Sequence, residues 1–344
     1  MSEHIIEDKR LLFYDILKAL LIFFVVFGHT IDTFSTNTTL KAIYLCIYSF
    51  HMPLFVFLSG YFAKWDKRKF FGYFLLYFIF TTFQILLKVF VISPESAYTF
   101  HKFLTMFIDP LWALWFLPAL AIWLLSTKFI KVVKIWHIIF ALCLSLCLGF
   151  IPEIGTKLTL SRIFYFFPFF LLGKFCKQNN EKFNNIMEKA QKIAYKLSAL
   201  LILILMFALI VIFVNYLSKS YFYGSYAYTN EFGIVHRTIS ILVGLLTSSC
   251  IFILMPQKIN EQSKFIRFVS NIGQKTLSIY LFHILLLILF KEFGAVYFSS
   301  HYLISLTTAL ILSVSIIIIT STKPFVKNVN FILNCFAHTK KDTS

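Results

Sequence analysis

Two ionisable side chains, Lys18 and His29, stand eleven residues apart in the otherwise apolar run DILKALLIFFVVFGH. An α-helix rises about 1.5 Å per residue, so they lie about 16 Å and close to three full turns apart, near one face at different depths. An ammonium group can hold the phosphates of a donor. A neutral imidazole, with an ordinary pKa of about 6.5, can take the proton of a hydroxyl. Asp15 stands three residues before Lys18 on the same face. This spacing suits a long substrate with phosphates at one end and a reactive group at the other. A plainer account also fits: Lys18 snorkels to the headgroups, Asp15 pairs with it, and His29 sits at the opposite interface.

The helix that positions them belongs to a membrane. The chain has 344 residues, 59% of them hydrophobic and 14% charged, with mean hydropathy +0.81, a balance that excludes a soluble globular domain of this length. At about 20 apolar residues per crossing, ten segments qualify: 11–31, 41–63, 70–92, 111–127, 135–151, 161–176, 197–217, 233–255, 274–290 and 302–321. The weakest is 161–176, which carries Arg162 and Pro168 and is open to being broken or tilted.

The formal charge of +17 falls in short clusters between these segments rather than on one water-facing surface, which argues against a nucleic-acid partner. With the N-terminus inside, the inner segments hold clusters such as Lys64, Lys67, Arg68 and Lys69, or Lys128, Lys131 and Lys134. The outer segments hold only Lys41, Lys102, Lys157, Lys219 and Lys291. The positive-inside rule then places both termini in the cytoplasm. The expected architecture is an all-α integral membrane protein, a bundle of about ten transmembrane helices forming a single domain over 1–344, with neither a signal peptide nor an appended extracytoplasmic domain.

In the longest inner segment, Phe183, Ile186, Met187, Ala190, Ile193 and Leu197 recur at helical spacing and predict a helix lying on the inner surface. The outer segment SKSYFYGSYAYTNEFG at 218–233 suits an interfacial belt or stacking against sugar rings. The six cysteines have the spacing of neither a disulfide framework nor a zinc site, and Cys143 and Cys147, one turn apart, read as packing sulfur. No metal is expected.

Three further segments join the first span: HMPLFVFLSGYF at 51–62, LWALWFLPAL at 111–120 and TLSIYLFHILL at 276–286. In this order the four resemble the membrane acyltransferase-3 family, which includes O-acetyltransferases of bacterial surface polysaccharides. HMPLF points to its fucose-4-O-acetylase-like branch. The resemblance covers most of the chain, with 177–230 contributing little. It implies an acyl-coenzyme A donor, most simply acetyl-coenzyme A, reached from the cytoplasm, and a glycan or lipid-linked sugar acceptor at the far side of a bacterial cell membrane.

Under that resemblance His29 is the catalytic base or a transient acyl carrier, with Asp15 beside Lys18; His283 matches the family's late histidine, which either lies near the first or only hydrogen-bonds a neighbouring helix. Lys18 takes the place of the family's usual Arg eleven residues before the His, keeping the charge but losing the bidentate fork for phosphate. Ser59 and Tyr61, flanking Gly60, would supply hydrogen bonds to the donor, unless these residues serve helix packing alone. His51, Trp115, Arg162 and Arg237 would orient the acceptor; each taken singly also reads as a helix-end anchor or pocket wall. The transfer falls to the membrane domain itself or to a separate extracytoplasmic partner.

Two other classes compete with this reading. A carrier or flippase for a polysaccharide intermediate would use His29, Asp15 and Lys18 as a proton relay or gate, although no internal repeat of the transporter kind is visible. A membrane scaffold would need the charges only for assembly.

Overall fold

A computed structural model describes residues 2–34, 37–92, 105, 107–109, 112–154, 159–225, 227–228, 232–257, 259–298 and 301–335. Every regular element among them is helical. The long helices are α1 (Ser2–Asp32), α2 (Thr38–Tyr61), α3 (Lys67–Leu87), α4 (Phe116–Phe129), α5 (Ile135–Cys147), α6 (Leu160–Gln178), α7 (Asn180–Ala190), α8 (Ile193–Ile212), α9 (Gly233–Leu254), α10 (Lys264–Gly273), α11 (Thr276–Phe293), α12 (Tyr302–Thr320) and α13 (Lys323–Asn334).

Seven helices among the described residues are long and apolar enough to cross a membrane: Leu12–Asp32, Thr38–Tyr61, Lys67–Phe90, Ile193–Ile212, Gly233–Leu254, Thr276–Phe293 and Tyr302–Thr320. The other three expected segments are helical as well. Ala113–Phe129 and Ile135–Phe150 are apolar but shorter, and α6 carries Arg162, Lys174 and Lys177. Helix α6 runs unbroken through Pro168. The expected surface helix ends earlier than its periodicity implied: α7 stops at Ala190, and α8 begins at Ile193. Met187 and Ala190 are buried, whereas Ile186, Ile193 and Leu197 are exposed.

The chain divides into two compact units. One holds Met1–Phe55, Asn179–Phe222 and Ser240–Val326; the other holds Val56–Gln178, Tyr223–Ile239 and Lys327–Ser344.

In the first unit α1 is the central rod, packed against α10, α11 and α12. Helix α10 is short and strongly amphipathic: Ser263 caps it, and Phe265 and Phe268 face outward. It ends at Gly273, whose missing side chain lets its backbone meet the Asp15 carbonyl. Any larger residue would push α10 off α1.

Several hydroxyls inside this unit are tied to backbone carbonyls or to one another, as hydrocarbon surroundings favour. The Thr247 hydroxyl donates to Ser49 O at 3.1 Å and the Ser248 hydroxyl to Phe50 O at 3.2 Å, pinning α9 to α2. The Ser313 hydroxyl donates to Thr30 Oγ1 at 3.1 Å, joining α12 to α1 one residue beyond His29.

In the second unit α3 packs on α4, and α6 packs on α5 and α4. Gly60 meets the Phe170 backbone and Gly173 meets the Phe57 carbonyl, so two glycines let α2 and α6 cross in close contact.

Candidate active site

The first unit brings His29 and His283 together. Their rings lie 5.5 Å apart between centroids, tilted by 41°. Helix α1 carries His29 near its C-terminal end and α11 carries His283 at its middle. His283 has no exposed surface, and its Nδ1–H donates to Ile279 O at 3.1 Å in its own helix. A carbonyl can only accept, so the neutral ring leaves its lone pair on Nε2. That nitrogen is buried and has no hydrogen-bond partner among the described residues.

His29 is half-buried. Its Nδ1 lies 3.2 Å from the hydroxyl of Tyr48. If the phenol accepts, Nδ1 holds the proton and Nε2 offers its lone pair, the arrangement a general base needs. If the phenol donates, the proton sits on Nε2. Tyr48 is itself clamped, stacked on Tyr44 at 3.9 Å on one side and met edge-on by His51 at 4.5 Å. His51 Nδ1–H donates to Ile47 O at 2.8 Å. His51 therefore stands in the wall behind His29.

Tyr44, Tyr48 and His51 follow at i, i+4 and i+7, so one stripe of α2 supplies the group. The stripe was visible in IYLCIYSFH, but nothing local said that it faces His29. One turn past His29, Asp32 binds the Lys219 ammonium at 2.9 Å, and that ammonium lies 5.5 Å from the Tyr44 ring centre. Neither Asp32 nor Lys219 was singled out from sequence.

At the other end of α1, Lys18 Nζ and Asp15 Oδ1 pair at 2.6 Å. The Gln274 amide donates to Asp15 Oδ2 at 2.8 Å, a contact made possible by the close approach at Gly273. Asp15 thus serves Lys18. Fourteen residues before His29, it is separated from that ring by about 21 Å of helix. Lys18 and Asp15 keep 27% and 13% of their side-chain surface, so the ammonium can turn toward an incoming anion.

The remaining predicted residues lie in the second unit. The Arg162 guanidinium sits 5.3 Å from the centre of the Trp115 ring and 5.5 Å from that of Tyr223. Buried Arg237 donates to Ser161 Oγ at 3.2 Å and lies 5.3 Å from the Tyr165 ring centre. Ser161 donates in turn to Gly224 O at 2.7 Å. Trp115, Arg162 and Arg237 therefore belong to one aromatic and cationic neighbourhood. Tyr61 is buried, with the Lys177 ammonium 5.2 Å from its ring centre. Ser59 is half-buried beside the glycine crossing.

Among the described residues no group of His, Cys, Asp or Glu has the arrangement of a metal site. Neither the curated proteins nor the solved structures gave a match. The acyltransferase-3 family model, described as an acyltransferase domain, matches residues 11–321. Its reach takes in Lys18, His29, the Tyr48 and His51 stripe and His283, and on that match the chain belongs to the acyltransferase-3 family and is a membrane acyltransferase.

Proposed function

We propose that this protein is an O-acyltransferase, most simply an O-acetyltransferase, that takes an acyl group from acyl-coenzyme A at the Lys18 end of α1. It delivers the group to a hydroxyl of a bacterial cell-surface glycan or its lipid-linked precursor at the His29 end. The topology behind this direction has ten crossings and both termini in the cytoplasm. The observation that carries the reading is the paired imidazoles: His29 held by Tyr48, and His283 presenting a buried Nε2 with no partner among the described residues, 5.5 Å away between ring centres.

In the transfer, His29 Nε2 takes the proton of the acceptor hydroxyl as its oxygen attacks the thioester carbonyl. The C–O bond forms, the C–S bond breaks, and the proton passes to the departing thiolate to give free coenzyme A. In the alternative version His29 attacks first, is acylated and then gives the acyl group to the hydroxyl. The orphan nitrogen of His283 is suited to sharing a proton with His29 or with the acceptor, since a buried acceptor without a donor costs about 1–3 kcal/mol unless a bound group supplies one. Lys18 attracts the donor phosphates, and Asp15 keeps the ammonium aligned while none is bound.

The test is to incubate the purified protein with labelled acetyl-coenzyme A and a panel of mono- and oligosaccharides. Free thiol release that requires an acceptor and disappears in His29→Ala supports the reading. A wild-type protein that binds sugars yet releases no thiol with any acceptor favours a carrier. An acylated wild-type protein, trapped without acceptor and absent in His29→Ala, selects the acyl-histidine version.

A further inference from the structure

Helix α10, Lys264–Gly273, divides into three stripes. Ile266, Ser270 and Gly273 recur at i, i+4 and i+7 and form the face packed on α1, with Ser270 and Gly273 buried and Ile266 half-buried. Phe265, Phe268 and Ile272 form a second stripe, and the two phenylalanines keep 70% and 51% of their surface exposed. Lys264, Arg267 and Asn271 form the third, and all three are exposed. The helix therefore has one face for α1, one apolar face and one basic face.

Its place in the chain fixes what covers the last two. Helix α10 follows the apolar helix α9, which ends at Leu254, and its last residue stands three before Thr276, where α11 begins. Ten residues rise about 15 Å, half of a hydrocarbon core of about 30 Å, so α10 is too short to cross and is tied to the surface by the start of α11. Exposed phenylalanines at that level sink into the acyl boundary while the basic stripe stays among the headgroups, as in helices that lie in the plane of a membrane. Between 261 and 275 the sequence sets Lys264, Arg267 and Lys275 against Glu261. Arg267 donates to the Gln262 carbonyl at 3.2 Å, a neutral partner. The excess of positive charge favours an anionic headgroup over a zwitterionic one.

The same helix shapes the Lys18 end of α1. Gly273 lets its backbone meet the Asp15 carbonyl, and the next residue, Gln274, donates to Asp15 Oδ2 at 2.8 Å. Asp15 holds Lys18 through its other oxygen. The depth and tilt of α10 therefore reach the ammonium through one backbone contact and one hydrogen bond.

We infer that α10 is an anionic-lipid sensor: headgroups such as phosphatidylglycerol, held by Lys264 and Arg267, seat the helix in the membrane surface and, through Gln274 and Asp15, align Lys18. The seating is read without turnover, whereas its link to donor binding rests on the function proposed above. Donor phosphates are the other anions expected at this end, and the test separates the two sources.

The experiment compares the purified protein in nanodiscs of phosphatidylcholine alone with nanodiscs of equal parts phosphatidylcholine and phosphatidylglycerol. Hydrogen exchange of peptides over 264–274 is followed without donor. Two basic residues at an anionic surface should slow exchange about tenfold with phosphatidylglycerol, while peptides of α11 stay unchanged. Lys264→Gln with Arg267→Gln should remove the difference between the lipids, and Lys264→Arg with Arg267→Lys should keep it. If the doubly neutral variant fails to fold, as judged by thermal unfolding, Arg267→Gln alone should reduce the difference to about threefold.

With labelled acetyl-coenzyme A, the donor KM should be about fivefold lower in the anionic nanodiscs, with kcat unchanged. Gln274→Ala should abolish that difference while the exchange difference over α10 persists, a split that a merely structural helix would not show. Equal exchange in the two lipids overturns the proposal, and protection that instead rises with the number of copies per disc assigns the face to a second copy. A KM raised equally in both lipids by Arg267→Gln would assign the charge to the donor phosphates and overturn it as well. Lipid-dependent exchange with a lipid-independent KM would reduce α10 to an anchor and overturn its role as a sensor. Lipid-dependent exchange in a protein that releases no thiol with any acceptor would sink the acyltransfer reading while keeping the lipid surface.

Discussion

The histidines of the first unit and the arginines of the second are both intramembrane polar clusters, yet they are satisfied in different ways. Arg162 and Arg237 set permanent charges against aromatic faces and hydroxyls. Such a cluster can hold and orient, but it cannot move a proton near neutral pH, because a guanidinium does not titrate there. His29, Tyr48 and His283 form a group with no fixed charge, its two imidazoles 5.5 Å apart between ring centres. On the function proposed above, proton chemistry belongs to the titratable group of the first unit and positioning to the fixed charges of the second.

The strongest way to break this comparison is His29→Ala, which should lower acceptor-dependent thiol release by about 10³-fold with thermal stability nearly unchanged. An unaffected rate would remove the imidazole from the chemistry. His283→Gln keeps a polar group but loses the basic nitrogen, and should lower kcat by about 10²-fold with little change in the KM of either substrate. A loss confined to KM would turn His283 into a binding residue.

Lys18→Ala should raise the KM for the acyl donor about tenfold and leave kcat alone, with Lys18→Arg restoring it. Loss of protein level together with activity would instead favour an assembly role. Tyr48→Phe should lower kcat by about fivefold in steady-state kinetics, because the hydrogen bond at Nδ1 fixes the tautomer and orientation of the His29 ring. The smallest kinetic effect is expected at Arg237: Arg237→Met should lower stability by about 1–2 kcal/mol while the folded fraction keeps its kcat, read from thermal unfolding beside steady-state kinetics.

Much of the fold was legible because hydropathy is a long-wavelength signal. Every segment expected to cross is helical, and α6 stays continuous through Pro168 because neighbouring groups can satisfy the freed carbonyl inside a membrane protein. Less visible was α10, a ten-residue amphipathic helix too short for a hydropathy window, even though KFIRFVSNIG alternates apolar and basic residues at helical spacing. It fixes Gln274 on Asp15 and so shapes the Lys18 end.

The site was legible one helix at a time. The spacing of Lys18 and His29 could be read because both lie on α1, and the Asp15–Lys18 pair for the same reason. His283, more than two hundred residues away in sequence, stood out only through the family resemblance, and its approach to His29 was not legible at all. Tyr48, Asp32 and Lys219 were missed because their partners are set by how helices pack, which no local periodicity encodes.

The central claim is that one helix receives the donor at Lys18 and carries out chemistry at His29, across the membrane. Inside-out vesicles holding acceptor in the lumen, with labelled acetyl-coenzyme A added outside, test it most directly. The account predicts acetylated acceptor in the lumen, none in vesicles with His29→Ala, and none when donor is enclosed and acceptor is outside. Acetylation that occurs only when donor and acceptor share one side would contradict it.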